Sequence, residues 1–60
     1  METRAYRITY LRADGELGHF YITEENSYYA GIAFVRRTGY PWECIQTVEV
    51  QLGRRWSKLP

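Results

Sequence analysis

Histidine occurs once in this chain, as His19, and cysteine once, as Cys44. A structural zinc site usually takes four nitrogen or sulfur ligands, so neither residue can anchor a His/Cys cluster, and no metal site is expected. A nucleophilic thiol needs a neighbouring base. The alternation around Cys44 places it on a buried strand face, where a free cysteine behaves as a small hydrophobe. The carboxylates Asp14, Glu16, Glu24, Glu25, Glu43 and Glu49 fall in a turn, at a strand end, before a helix and on an outer strand face. Acid catalysis at neutral pH requires two such groups held together in an apolar pocket, and this spacing forces no pair together. Gly15 and Gly18 lie in a hairpin rather than between a strand and a helix start, so they form no phosphate loop. No catalytic residues and no cofactor are expected, and the chain reads as a non-enzyme.

What remains is arginine and aromatic surface. Arg36-Arg37 and Arg54-Arg55, with Trp56 and Lys58, could bind nucleic acid, because guanidinium contacts phosphate and an aromatic ring stacks on a base. Arg36 and Arg37 also fall in the last turn of a helix, where the macrodipole favours cations whatever the partner. Protein binding accounts for more of the sequence. Tyr, Trp and Arg concentrate binding energy in protein interfaces, and Tyr21, Tyr29, Tyr40, Arg36, Arg37 and Trp56 are candidates for exposure on so small a protein.

Eight basic and seven acidic residues leave a formal charge of +1, which exerts no global pull on polyanions. Sixty residues bury only about 60% of the surface the unfolded chain exposes, leaving little room for an enclosed cleft. The aromatic residues, 17% of the chain, must supply much of the apolar area. One cysteine permits no internal disulfide, and METRAYR lacks a signal-peptide core. The expected setting is therefore a reducing cytoplasm, with no membrane span.

Three strands and one helix must position these residues. Tyr6, Ile8 and Tyr10 alternate with Arg7, Thr9 and Leu11, predicting a first strand with one buried face. A two-residue Asp14-Gly15 loop would set Ile8 opposite Tyr21 and Thr9 opposite Phe20; the preferred three-residue Ala13-Asp14-Gly15 loop with Gly15 left-handed sets Ile8 opposite Phe20, Tyr6 opposite Ile22, Arg12 opposite Glu16 and Arg4 opposite Glu24. Phe20 and Ile22 then face inward. A helix is predicted between Asn26, which can cap its first turn, and Gly39, which can end it in the left-handed conformation. Wheel spacing gives it a buried arc of Tyr28, Gly31, Ile32 and Val35, with Phe34 and Thr38 beside it, and an outer arc of Tyr29, Ala33, Arg36 and Arg37. Gly31 is expected to let the helix lie close to the sheet. After Gly39-Tyr40-Pro41 a third strand is predicted from Trp42 to Leu52, with Ile45 and Gln46 out of pattern and marking a bulge. Residues 53–60 read as a flexible tail, or one that docks through Trp56 and Leu59.

The expected fold is a single α+β domain spanning residues 1–60: a three-stranded antiparallel sheet in β-β-α-β order, strand one central, with the helix across one face. The other face carries Arg7, Thr9, Leu11, Leu17, His19, Tyr21 and Ile45 and has nothing to cover it, while strands two and three are edges.

The layout YRITYL-RADGELGHFYI, then NSYYAGIAFVRRTG, then WECIQTVEV resembles the small strand-strand-helix-strand accessory proteins of bacteriophages and mobile elements, a group that includes some anti-CRISPR inhibitors. That resemblance implies a non-enzymatic protein that binds and inhibits a larger host protein in the host cytoplasm. The residues expected to meet the partner are Tyr29, Ala33, Arg36 and Arg37, then Tyr21, His19 and Trp56. A second copy of the chain, joined through the sheet face or an edge strand, is a further expected partner. The alternative is a small nucleic-acid-binding protein using Arg36, Arg37, Arg54, Arg55, Trp56 and Lys58.

Overall fold

The structure, a computed structural model, describes residues 2–60. Strand β1 (Arg4–Leu11) and strand β2 (Leu17–Glu24) form a hairpin, followed by helix α1 (Ser27–Thr38), a single 3-10 turn (Trp42–Cys44), strand β3 (Ile45–Leu52) and strand β4 (Arg55–Lys58). All pairings are antiparallel, in the order β2-β1-β3-β4. The molecule is an α+β domain with one helix and one sheet.

The β1–β2 register is the one the three-residue loop predicts: Arg4 pairs with Glu24, Tyr6 with Ile22 and Ile8 with Phe20. Arg12 N–H donates to the Glu16 carbonyl at 2.8 Å and Gly15 N–H to the Arg12 carbonyl at 3.0 Å, with Gly15 at φ 86°. A tight turn followed by a left-handed glycine is how a three-residue hairpin keeps its strands in register. Asp14 reinforces it by accepting from Glu16 N–H at 3.0 Å and from the Arg12 guanidinium at 2.7 Å.

The helix has both predicted ends. Asn26 accepts from Tyr29 N–H, and Gly39, at φ 79°, donates to the Val35 carbonyl. Its orientation differs from the wheel assignment. Ala30, Gly31 and Phe34 are the buried residues, Ile32 and Val35 are half-buried, and Tyr28 is 64% exposed. The buried face is therefore turned toward Phe34. Phe34 packs against Tyr10 (ring centroids 4.8 Å apart) and Phe20 (5.6 Å), while the Tyr28 ring meets the rings of Tyr29 and Trp42. Gly31 answers to Trp42 rather than to the sheet: the indole lies directly on the backbone of Gly31 and its ring centroid is 6.2 Å from that of Tyr28.

Tyr6, Ile8, Ala30, Phe34 and Val50 form the buried core, with Tyr10, Phe20, Ile22, Val35, Tyr40, Ile45, Val48 and Leu59 packed around it. Tyr40, a candidate for exposure in the sequence, turns inward; its ring lies 5.1 Å from that of Tyr10 and its hydroxyl accepts from Ala13 N–H at 3.2 Å. The helix exit is thereby tied to the β1–β2 turn. Ile45 also turns inward. Thr9 pairs with Thr47 but Tyr10 with Ile45, so Gln46 is the extra residue of a bulge, and Ile45 shares the helix-side face with Tyr10 instead of the open face. Trp42 to Cys44 belong to the 3-10 turn, which leaves Cys44 half-buried.

The largest correction concerns the sheet, which has four strands, not three. Arg55–Lys58 pairs with β3, from Leu52 opposite Arg55 to Glu49 opposite Lys58, so β3 is internal and β4 is the edge. The connecting loop is two residues, Gly53-Arg54, with Gly53 at φ 64° and no positive φ at Arg54; a type II′ hairpin turn needs glycine at that first position. Of the two residues expected to dock, Leu59 reaches the core and donates its N–H to the Val48 carbonyl at 2.9 Å, while Trp56 goes to the opposite face of the sheet.

Candidate binding surfaces

The register sorts the candidate residues onto two surfaces. Residues of β1 and β2 that alternate with Tyr6, Ile8, Phe20 and Ile22 point away from the helix, and β3 and β4 continue that open face with Thr47, Glu49, Gln51, Trp56 and Lys58.

Near its centre, Arg7 donates from Nε to Glu49 Oε1 at 2.9 Å and from an Nη to Glu49 Oε2 at 3.0 Å, a two-point contact across the β1–β3 pair. The same guanidinium lies 4.7 Å from the ring centroid of Trp56, and Tyr21 meets Trp56 edge-on at 5.9 Å. His19 sits 6.5 Å from the Tyr21 ring and its Nδ1 is 3.0 Å from Thr9 Oγ1. Trp56 of β4 and Tyr21 and His19 of β2 thus form one connected aromatic row across the open face. Tyr21 is 59% exposed, and Leu11 and Leu17, paired at the far end, are 44% and 57% exposed. Arg7 and Glu49 were expected on outward strand faces but not among the residues that meet a partner. Their alternating positions put both on this face, but only the β1–β3 register brings them opposite each other.

The Arg7 contact holds the Glu49 carboxyl below its usual value, against the opposing effect of partial burial. A carboxyl whose folded value is lowered stabilises the fold above its unfolded value, and that contribution disappears as pH falls through the folded value. Wild-type stability should therefore decline more steeply than that of Glu49→Gln as pH drops below about 4.3, the ordinary glutamate value. Urea denaturation of both proteins between neutral pH and pH 3 checks this: the gap between them should be widest near neutrality and close in acid.

The second surface is the outer side of α1. Tyr29, Ala33, Arg36 and Arg37 line an open groove of about 320 Å³ together with Ile32 and Glu24 from the end of β2. Tyr29, Arg36 and Arg37 are exposed and Ala33 is half-buried. The basic residues do not form one patch. Arg36 and Arg37 share their groove with the end of β2, Arg54 and Arg55 sit at the β3–β4 turn with β1 between those strands, and Trp56 and Lys58 lie on the open face.

Among the described residues there is no group of three or more His, Cys, Asp or Glu placed to hold a metal ion, and no helix is long and apolar enough to cross a membrane. Comparison with models of known protein families, with curated proteins and with solved structures finds no match.

Proposed function

We propose that this chain is a small non-enzymatic binding protein of the phage-accessory type, which occupies a surface on a larger host protein and inhibits it. The observation that carries the reading is the meeting of Tyr21, Trp56 and Arg7 on a sheet face that nothing among the described residues covers. These three residue types dominate the energetic centres of protein interfaces, where a rigid ring or a planar guanidinium gives much contact area for little lost freedom. The Glu49 contact already holds Arg7 in place, which lowers the cost of ordering it on binding.

Affinity capture from host lysate with wild type and Trp56→Ala tests the reading. Loss of a central tryptophan costs about 2 kcal/mol or more, about 30-fold in affinity, so a partner recovered by wild type should be depleted at least tenfold with the variant. Thermal melts of both proteins establish that the variant is folded. Recovery of no protein at any salt concentration, or equal recovery by both proteins, overturns it. Binding instead to oligonucleotides with a steep salt dependence would identify nucleic acid as the ligand.

A further inference from the structure

The two edges of the sheet are built differently. β4 is four residues long, carries Arg55 and Lys58 and is followed closely by Pro60, the features that blunt an edge against strand pairing. β2 is eight residues long, LGHFYITE, without Lys, Arg or Pro, and the β1–β2 register runs through it without a bulge. Among the described residues nothing pairs with its outer side. The bonded Arg12–Glu16 pair that closes the hairpin sets the alternation. Gly18, Phe20, Ile22 and Glu24 bond to β1, leaving the N–H and C=O groups of Leu17, His19, Tyr21 and Thr23 directed outward.

We propose that a second copy of this chain pairs with that edge, β2 antiparallel to β2, giving a two-fold dimer with one continuous eight-stranded sheet. Only odd-numbered residues of β2 offer free backbone groups, so each bonded pair joins two odd residues. This parity places both helices on one face of the joined sheet and both open faces on the other. Centring the axis on Phe20 uses the whole strand: Leu17 opposes Thr23 of the second copy and His19 opposes Tyr21 of the second copy.

Two features of the helix layer favour a second copy over an unrelated strand. Phe34 packs on both Tyr10 of β1 and Phe20 of β2, so α1 lies over the boundary of those strands. With strands about 4.8 Å apart, the two helices of the dimer run about 10 Å apart, at the outer end of the ordinary helix packing distance. The flank of α1 turned to the seam is the one away from Trp42 and carries Ala33, small enough for close approach, and Arg37. The charges also match. The Tyr40–Ala13 hydrogen bond fixes the C-terminal end of α1 over the β1–β2 turn, and antiparallel pairing brings Glu24 and Glu25 of the second copy to that end. Each Arg37 then faces an acidic pair, twice by symmetry.

Light scattering of the full chain combined with amide hydrogen exchange tests the proposal. The expected mass is twice the chain's 7.2 kDa, falling toward the monomer on dilution. In the dimer the His19, Tyr21 and Thr23 amides should exchange at least tenfold more slowly than in the dilute monomer, while Phe20 and Ile22 stay protected in both. Arg37→Glu should weaken association at least fivefold, and the added change Glu25→Arg, at a residue that does not line the chain's own Arg37 groove, should restore it. A monomeric mass at millimolar concentration overturns the proposal, as does a dimer whose His19, Tyr21 and Thr23 amides remain in fast exchange, which would place the contact elsewhere.

Discussion

Phe34→Ala should remove a large part of the folding stability. Phe34 is fully buried, and its ring is the one that both Tyr10 and Phe20 pack against, so its removal empties the centre of the helix–sheet contact. Truncating a buried phenylalanine costs about 3–5 kcal/mol, part lost transfer free energy and part the cavity left behind. At 0.05–0.15 kcal/mol per residue, a 60-residue protein holds only about 3–9 kcal/mol in all. The surroundings have little capacity to close the cavity: Ile8 of the same core is itself fully buried, and Tyr40 is held by its hydrogen bond to Ala13. Circular dichroism melts and amide chemical-shift dispersion report the outcome, with Phe34→Leu, which empties less of the site, expected to cost less than Phe34→Ala. A cooperative melt for Phe34→Ala within a few degrees of wild type would show that the core is organised around some other residue.

That dependence on one helix position explains which parts of the fold the sequence made legible. The β1–β2 register could be read because strand alternation decides between the loops that Asp14-Gly15 allows: a two-residue loop would set Ile8 opposite Tyr21, and the three-residue loop puts Phe20 and Ile22 opposite Ile8 and Tyr6. The helix ends were legible for the same reason, since Asn26 and Gly39 each act within one turn. The bulge at Gln46 showed as a break in alternation. The rotation of α1 did not show, because a wheel counts Tyr28 as apolar area without knowing that Trp42, fourteen residues later, would fold back and occupy that flank. β4 was missed because RWSK is short and mostly polar. Its stability comes from pairing with β3 and from Leu59 reaching the core, contacts no local propensity encodes; the Gly53-Arg54 turn was the available signal.

The candidate surfaces divide along the same line. That Tyr21 and His19 share an exposed face followed from alternation within one strand. That Trp56 completes the aromatic row, and that Arg7 lies between it and Glu49, required β4 and the β1–β3 register. If β2 pairs with β2 of a second copy, both open faces fall on the same side of the joined sheet, so a partner would meet two copies of the Tyr21–Trp56–Arg7 cluster related by a two-fold axis.

Gly31→Ala should destabilise the protein, although the same substitution in an exposed helix interior stabilises by about 1 kcal/mol. A Cβ at residue 31 would lie 2.6 Å from Trp42 Cζ3 and 3.1 Å from Cζ2, closer than van der Waals contact allows. Either the indole swings away and forfeits its packing on α1, or the helix shifts off the sheet and strains Phe34 against Tyr10 and Phe20. Overpacking of this kind costs about 1–3 kcal/mol, which exceeds the propensity gain through most of its range. Trp42 is 46% exposed and can move outward, so the net loss should sit near the lower end, about 1 kcal/mol. The decisive measurement is a double-mutant cycle. With Trp42→Ala the obstacle is gone, and Gly31→Ala should then stabilise by up to about 1 kcal/mol, a reversal of sign with a coupling near 2 kcal/mol. Urea denaturation of the four proteins yields that coupling directly. If Gly31→Ala shifts stability equally in both backgrounds, Trp42 is not seated on α1, and the glycine serves no close approach there.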